Sequence, residues 1–295
     1  MFIKKLLGLS ALVLFVACAP DADVQNPQMD IPDTHKIGGL AVGTQAYTFN
    51  RYSVMEAIEK TDRAGGRVIE FYPGQTLSPD EDEIFDQHVS DEVIDRVLAK
   101  LDEHDIIPVN FGVVSLPNDE EEQRQVFEFA QKLGVQAVTT EPSVEALDLI
   151  EQMVQEYDIM VAIHNHPRGW GPEGYQLWDP EYVASIVEDR DPRIGASADV
   201  GHWVRSDIRP VDGLRALEGR LVSVHFSDVG EFGPDGEDVI AGKGVGDVPA
   251  TLEELKRQNF GGHISIEYET NWFENVTDVA QIVGFMRGWA ETRDQ

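Results

Sequence analysis

The sequence predicts a single (β/α)8 barrel, and three observations carry that prediction. Eight short strand-like runs alternate with eight amphipathic helical patterns from Leu40 to near the C-terminus. The first run leads into Ala46-Tyr47-Thr48-Phe49, with none of the glycine-rich turn that opens a doubly wound nucleotide-binding sheet. Polar residues gather at the C-terminal ends of the later runs, the end at which barrels of this class build their sites. A chain of 295 residues accommodates one such barrel, typically about 250 residues.

Each element follows from local pattern. The first strand covers 40–45, and its helix runs over 53–63, opened by Ser53 and stopped by Gly65-Gly66. The second strand (67–72) precedes an acidic loop. The helix near 90–104 then starts at Ser90 and puts Val93, Ile94, Val97, Leu98 and Leu101 on one face. Strand three (106–111) is followed by a helix near 119–133 with Val126, Phe127, Ala130 and Leu133 inward and Gly134 as its stop. Strand four (137–141) is capped by Pro142-Ser143, and its helix reaches Tyr157. Strand five (160–164) pairs with a helix near 179–188, and strand six (194–199) with one near 210–217. Strand seven (221–226) leads through a long glycine-rich loop to a helix near 250–258. Strand eight (263–268) leads to a closing helix near 276–289. Within the loop, Ala241-Gly-Lys-Gly-Val-Gly246 lacks the Lys-Ser/Thr ending of an ATP-binding loop and reads as part of the barrel's top face.

Residues 1–17 place Lys4 and Lys5 before an apolar run from Leu6 to Ala17, too short to span a bilayer comfortably, and read as an export signal. The run ends in Phe15-Val16-Ala17-Cys18. The chain's only cysteine stands where this pattern resembles the lipobox of bacterial lipoproteins, which implies cleavage before Cys18 and a lipid on its thiol. Ala19, in place of an aspartate, then implies the periplasmic side of the outer membrane in a cell with two membranes. Residues 18–37, with three prolines and no sustained period, read as a tether, and 38–295 as the barrel. One cysteine excludes an internal disulfide framework and a multi-cysteine metal site. With 54 acidic against 23 basic side chains, a net charge of −31, the chain has no broad basic face for nucleic acid. Contact with the membrane is expected through the N-terminal lipid alone.

The polar set at the strand ends is Glu141, His164 and His166, Asp199 with His202, His225, and Glu267. Two carboxylates and one or two imidazoles with open positions describe a site for one divalent ion, Mn²⁺, Co²⁺, Zn²⁺ or Mg²⁺. Three carboxylates crowded in a low-dielectric pocket without a cation would be costly. His164 and His166 have the same strand parity, so both can face the centre.

Four motifs carry a family resemblance. Asp199-Val-Gly-His202, His225-Phe-Ser-Asp228, Ile266-Glu267 and Gly242-Lys-Gly-Val-Gly-Asp247 resemble those of the xylose isomerase-like TIM barrels, the sugar phosphate isomerase/epimerase superfamily. The resemblance runs from about Leu40 to Trp289. It implies Asp199, His225 and Glu267 as metal ligands, with Mn²⁺ the expected ion. The family's strand-five Glu-Asn-His is His164-Asn165-His166 here, so Glu141 and His166 are expected to complete the ligand set and His164 to act as base or acid.

This histidine-rich pattern resembles the inosose dehydratase branch and relatives that cleave 3-keto-glycosides. A carbohydrate lyase is implied, enolising a keto-sugar and expelling a β-oxygen. His164 or Glu267 would take the proton, and His202 or His166 would protonate the leaving oxygen. Lys243 is expected to stabilise the enolate or contact substrate hydroxyls. Tyr47, Tyr72, Trp170, Trp203 and Arg205 are further expected substrate contacts. The alternatives are a sugar isomerase or epimerase, and a non-catalytic carbohydrate-binding lipoprotein.

Overall fold

In the computed structural model, which describes residues 25–293, eight parallel strands close on themselves in chain order. They are β1 (Leu40–Gln45), β2 (Val68–Phe71), β3 (Ile107–Phe111), β4 (Ala137–Thr140), β5 (Met160–His164), β6 (Ile194–Asp199), β7 (Leu221–Phe226) and β8 (His263–Ile266). Closure is made by β8 pairing with β1, where Thr44 lies opposite Ile266, and by β1 pairing with β2, where Gln45 lies opposite Glu70. The helices are α1 (Val54–Ala64), α2 (Asp91–His104), α3 (Glu120–Leu133), α4 (Leu147–Tyr157), α5 (Pro180–Val187), α6 (Val200–Arg205), α7 (Pro210–Ala216), α8 (Val248–Arg257) and α9 (Val276–Glu291). Among the described residues no helix is long and apolar enough to cross a membrane.

Helix ends follow their local chemistry. Ser53 and Glu56 form a reciprocal capping box on α1, which ends at the left-handed Gly65. The Asp119 carboxylate accepts from the Glu121 and Glu122 amides at the start of α3, and Gly134 closes that helix in the left-handed region. One α-helix was not anticipated. The six-residue α6 follows β6 at once, because Asp199 caps it by accepting from the His202 amide. The second, third, fourth and eighth strands are shorter than expected. Glu141 and Glu267 thereby stand one residue past the ladder, at the barrel mouth.

The outer core lies between strands and helices, with Phe71, Phe111, Phe127, Trp203 and Phe226 among its fully buried side chains. Inside the barrel, Met29, Ile31, Ala41, Val68, Val109, Ala137, Met160, Ala162 and Val222 close the N-terminal end. Above that plug the interior holds Glu70, Asn110, Ser197, Ser223 and Ser265, all fully buried.

The plug corrects the tether reading for residues 25–37. Asn26 accepts from the Leu221 amide at 3.0 Å and donates to the Gln258 carbonyl at 3.1 Å, Gln28 bridges to Gly261, and Lys36–Ile37 pairs antiparallel with β1. Met29 and Ile31 have the apolar surface needed to cover the open barrel end, which outweighs the segment's lack of regular period. The export signal, the lipobox with Cys18, and residues 19–24 lie outside the described residues.

Candidate active site

The C-terminal rim assembles four side chains from four consecutive strands. His164 ends β5, Asp199 ends β6, His225 is the penultimate residue of β7, and Glu267 follows β8. Parallel register puts His225 directly opposite Asp199. One ligand-type atom from each of the four lies within 4.8 Å of all the others.

Each imidazole in this group has one nitrogen tied outward. His164 Nδ1 lies 3.0 Å from Glu141 Oε1, and His225 Nε2 lies 3.0 Å from Glu70 Oε2. The opposite nitrogens point inward. His164 Nε2 is 3.7 Å from Asp199 Oδ2, and His225 Nδ1 is 2.8 Å from Glu267 Oε2, and neither buried atom makes an aligned hydrogen bond. A carboxylate on the far nitrogen and a bare near nitrogen is how proteins orient imidazoles toward a metal. Asp199 has a similar division: Oδ1 accepts from the His202 amide at 2.7 Å, while Oδ2 faces the rings of His164 and His202. Asn165 fixes both strand ends, accepting from the Asp199 amide at 2.9 Å and donating to its carbonyl at 3.1 Å. Two nitrogens and two carboxylates fit a divalent ion of the hard-to-borderline kind.

The electrostatics agree with that fit. Burial opposes ionisation of Asp199, but the surrounding His202, His164 and His225 hold its carboxyl well below the usual range. Glu141 and Glu70 are depressed in the same way, against burial, by their histidine partners. Burial would lower His164, yet Asp199 and Glu141 outweigh it and push it up to about 9; His225 is raised against burial by Glu70 and Glu267. A field that holds protons on two buried imidazoles also favours a dication between them, with release of those protons on binding. His202 goes the other way, to about 4. Burial is the main cause; Asp199 opposes it, and the nearby His164, His166 and Arg205 add to it. Glu269 is pushed up to about 8, first by burial and then by Glu267 and Asp199.

The remaining expected residues fall into three places. Glu141 and His166, expected as ligands, sit beside the group of four: Glu141 Oε1 takes His164 Nδ1 at 3.0 Å, His166 Nδ1 at 2.6 Å and the Tyr175 hydroxyl at 3.0 Å. Glu141, His164 and His166 form a second cluster that shares His164 with the first. His164, expected as base or acid, is thus the strand-five member of the central group. Strand parity gives the facing direction, but His166 lies two residues beyond the ladder and so in the loop above. Tyr47, Tyr72, Trp170 and His202 line a cavity of about 500 Å³ over the group, together with Glu267 and Glu269. Arg205 also borders it, with its guanidinium tied to Asp238 and to the Gly236 carbonyl.

Two expected contacts are elsewhere. Trp203 is buried in the outer core, where its ring packs so closely on Gly213 that an added Cβ there would lie 2.6 Å away. Lys243 is exposed and is not part of the cavity wall. Its loop is set by the buried Asp228 carboxylate, which accepts from the amides of Val229, Gly242, Gly244 and Gly246 at 2.9–3.1 Å. Gly244 approaches so closely that a Cβ would lie 2.3 Å from Asp228 Oδ1. The His-x-x-Asp motif therefore carries one residue of the site and one loop anchor.

Glu70, Asn165, Tyr175 and Glu269 escaped the sequence reading. Glu70 had a usable signal, a lone acid inside the apolar run Val68-Ile69-Glu70-Phe71. It accepts from Ser265 Oγ at 2.8 Å and pairs with both His225 and His263.

A family model for xylose isomerase-like TIM barrels matches residues 58–289. Among solved structures, an uncharacterised protein from Parabacteroides distasonis is 32% identical, with a TM-score of 0.68 over 84% of this chain and 98% of its own. A D-tagatose 3-epimerase-like protein is 19% identical, with a TM-score of 0.65 over 86% of this chain and 99% of its own. D-allulose 3-epimerase from Methylomonas sp., in complex with D-allulose, is 13% identical, with a TM-score of 0.65 over 90% of this chain and 99% of its own. At these last two identities the likeness is one of fold. No curated protein matches the chain significantly.

Proposed function

Since the chain belongs to the family of xylose isomerase-like TIM barrels, we propose that it is a divalent-metal-dependent enzyme that moves a proton beside the carbonyl of a carbohydrate, as a sugar isomerase or epimerase does. The observation that carries this reading is the group His164, Asp199, His225 and Glu267, with two imidazole nitrogens turned inward toward its carboxylates. A divalent ion held there, Mn²⁺ in our reading, would polarise the substrate's carbonyl oxygen and acidify the neighbouring C–H. Glu267, on the cavity wall, takes the carbon-bound proton. Glu269, on the same wall, supplies a second carboxyl group where the family's strand-five glutamate is replaced by His164. His202 exchanges a proton with the substrate's oxygen atoms. D-tagatose 3-epimerase-like and D-allulose 3-epimerase structures share the fold and support this class of reaction.

A second reading has one observation in its favour. His166 and His202 both line the cavity, and an imidazole there can protonate a departing glycosidic oxygen, as β-elimination from a keto-sugar requires. Incubating Mn²⁺-loaded protein with ketoses in deuterated water separates the two. Deuterium on carbon, with an epimer or aldose as product, is expected. Release of an alcohol and an unsaturated keto-sugar from a keto-glycoside would replace that assignment with elimination. Sugar binding without exchange or product from any of these substrates would leave only a binding protein.

The location belongs to the same proposal. Lipid on Cys18 would anchor the barrel to the periplasmic side of the outer membrane in a cell with two membranes, and the Cys18→Ser protein should move from the membrane to the soluble fraction in its host. A mature protein whose intact mass still includes Met1 would contradict it.

A further inference from the structure

The cavity wall discriminates among carbohydrates. We propose that the substrate is an uncharged oligosaccharide or keto-glycoside, with its carbonyl-bearing unit over the four-residue group and a second ring lying on Trp170. This rests on the carbohydrate reading above and narrows it.

The first argument is the aromatic rim. Trp170 is 68% exposed, an unusual position for the largest apolar side chain, and it borders the cavity. Its indole is not loose. It stacks on the His166 ring with centroids 4.9 Å apart and planes within 8°, and His166 is itself held by Glu141. One indole face is thus supported and the ring is set in place before any ligand arrives, which reduces the ordering cost of binding. In an eight-stranded ring β1 lies four strands from β5, so the loops after these strands face each other across the mouth. The β1 side carries Tyr47, edge-on to Tyr72 at 5.1 Å and to Trp272 at 6.0 Å. Two aromatic walls across one opening suit the flat apolar faces of successive sugar rings.

The second argument is charge. Among the described residues lining the cavity, Arg205 is the one Lys or Arg, and its Nε and Nη2 are already spent on the Gly236 carbonyl and Asp238. Glu267 and Glu269 stand on the same wall. Apart from the proposed ion, a phosphate dianion would meet a single cation that is already committed, unlike the several free donors of a phosphate site. The third argument is size. About 500 Å³ falls within the roughly 300–1,000 Å³ of pockets that enclose drug-sized ligands, more than a single six-membered ring fills.

Calorimetry on the full-length, Mn²⁺-loaded protein tests this with cellobiose, maltose and trehalose against glucose and glucose 6-phosphate. At least one disaccharide is expected to bind about three- to tenfold more tightly than glucose, the scale of one aromatic stacking contact. That advantage should disappear in Trp170→Ala and return in Trp170→Phe, while phosphorylation gives no gain. Equal binding of glucose and all disaccharides, tighter binding of the phosphate, or an advantage that survives in Trp170→Ala would overturn the second-ring subsite alone. No binding of any of these sugars by folded, metal-loaded protein would remove the carbohydrate reading and the subsite together.

Discussion

His164→Ala should lose the divalent ion and with it essentially all turnover, whereas His166→Ala should retain the ion. The reason is positional. His164 Nε2 is buried and faces Asp199, while His166 stands outside the group of four and reaches Glu141. A ligand contributes in the ground state, so its loss shows in elemental analysis before any assay is run. A group that only transfers protons contributes once the proton begins to move, typically about 10²–10⁴-fold in rate. Asp199→Ala and His225→Ala should resemble His164→Ala, and in all three the rise in melting temperature on adding Mn²⁺ should vanish, since ion binding stabilises only the folded state. Full metal content in His164→Ala together with loss of metal in His166→Ala would reverse the roles of the two residues.

Glu70 has the second large effect. It is fully buried and its Oε2 serves His225, His263 and Ser265 at once. Removing one partner of a buried ionic pair costs about 3–5 kcal/mol, and Glu70→Ala should lose that much in denaturant unfolding. The near-isosteric Glu70→Gln keeps the shape but not the charge that sets His225. Outer partners of metal-bound histidines are typically worth about 10–100-fold in metal affinity, so Glu70→Gln should weaken Mn²⁺ binding on that scale while the protein stays folded. Unchanged affinity in a folded Glu70→Gln protein would reduce Glu70 to a packing role.

What the sequence revealed and what it hid have separate physical causes. The strands over 160–164, 194–199 and 221–226 agree with the structure at both ends, because each is a short apolar run bounded by residues that favour turns. Asp199, His225 and Glu267 fall at ends of such runs, so their convergence on one rim follows from the barrel's topology. Depth along the barrel axis is a different quantity. Alternation places His164 and His166 on one side without saying which is inside the ring of strands and which is in the loop above. Glu70 depends on a partner 155 residues away, a pairing that local pattern does not contain. Lys243 stood out as one of few cations near the rim of an acidic chain, but its loop is held by amides that donate to Asp228, and the lysine itself is exposed. The plug shows the same limitation. Its order comes from contacts with Gln136, Gln258 and Gly261, none of which a reading of residues 25–37 includes.

That plug has a consequence for orientation. If Cys18 carries a lipid, seven residue steps separate it from Gln25, the first described residue, and each spans at most about 3.6 Å, so the leash is no longer than ~25 Å. The chain enters the barrel at the end opposite the catalytic mouth. With a lipid on Cys18, a leash that short would hold the sealed floor against the lipid surface and turn the aromatic opening toward open water, where a long saccharide would approach end-on without meeting the bilayer.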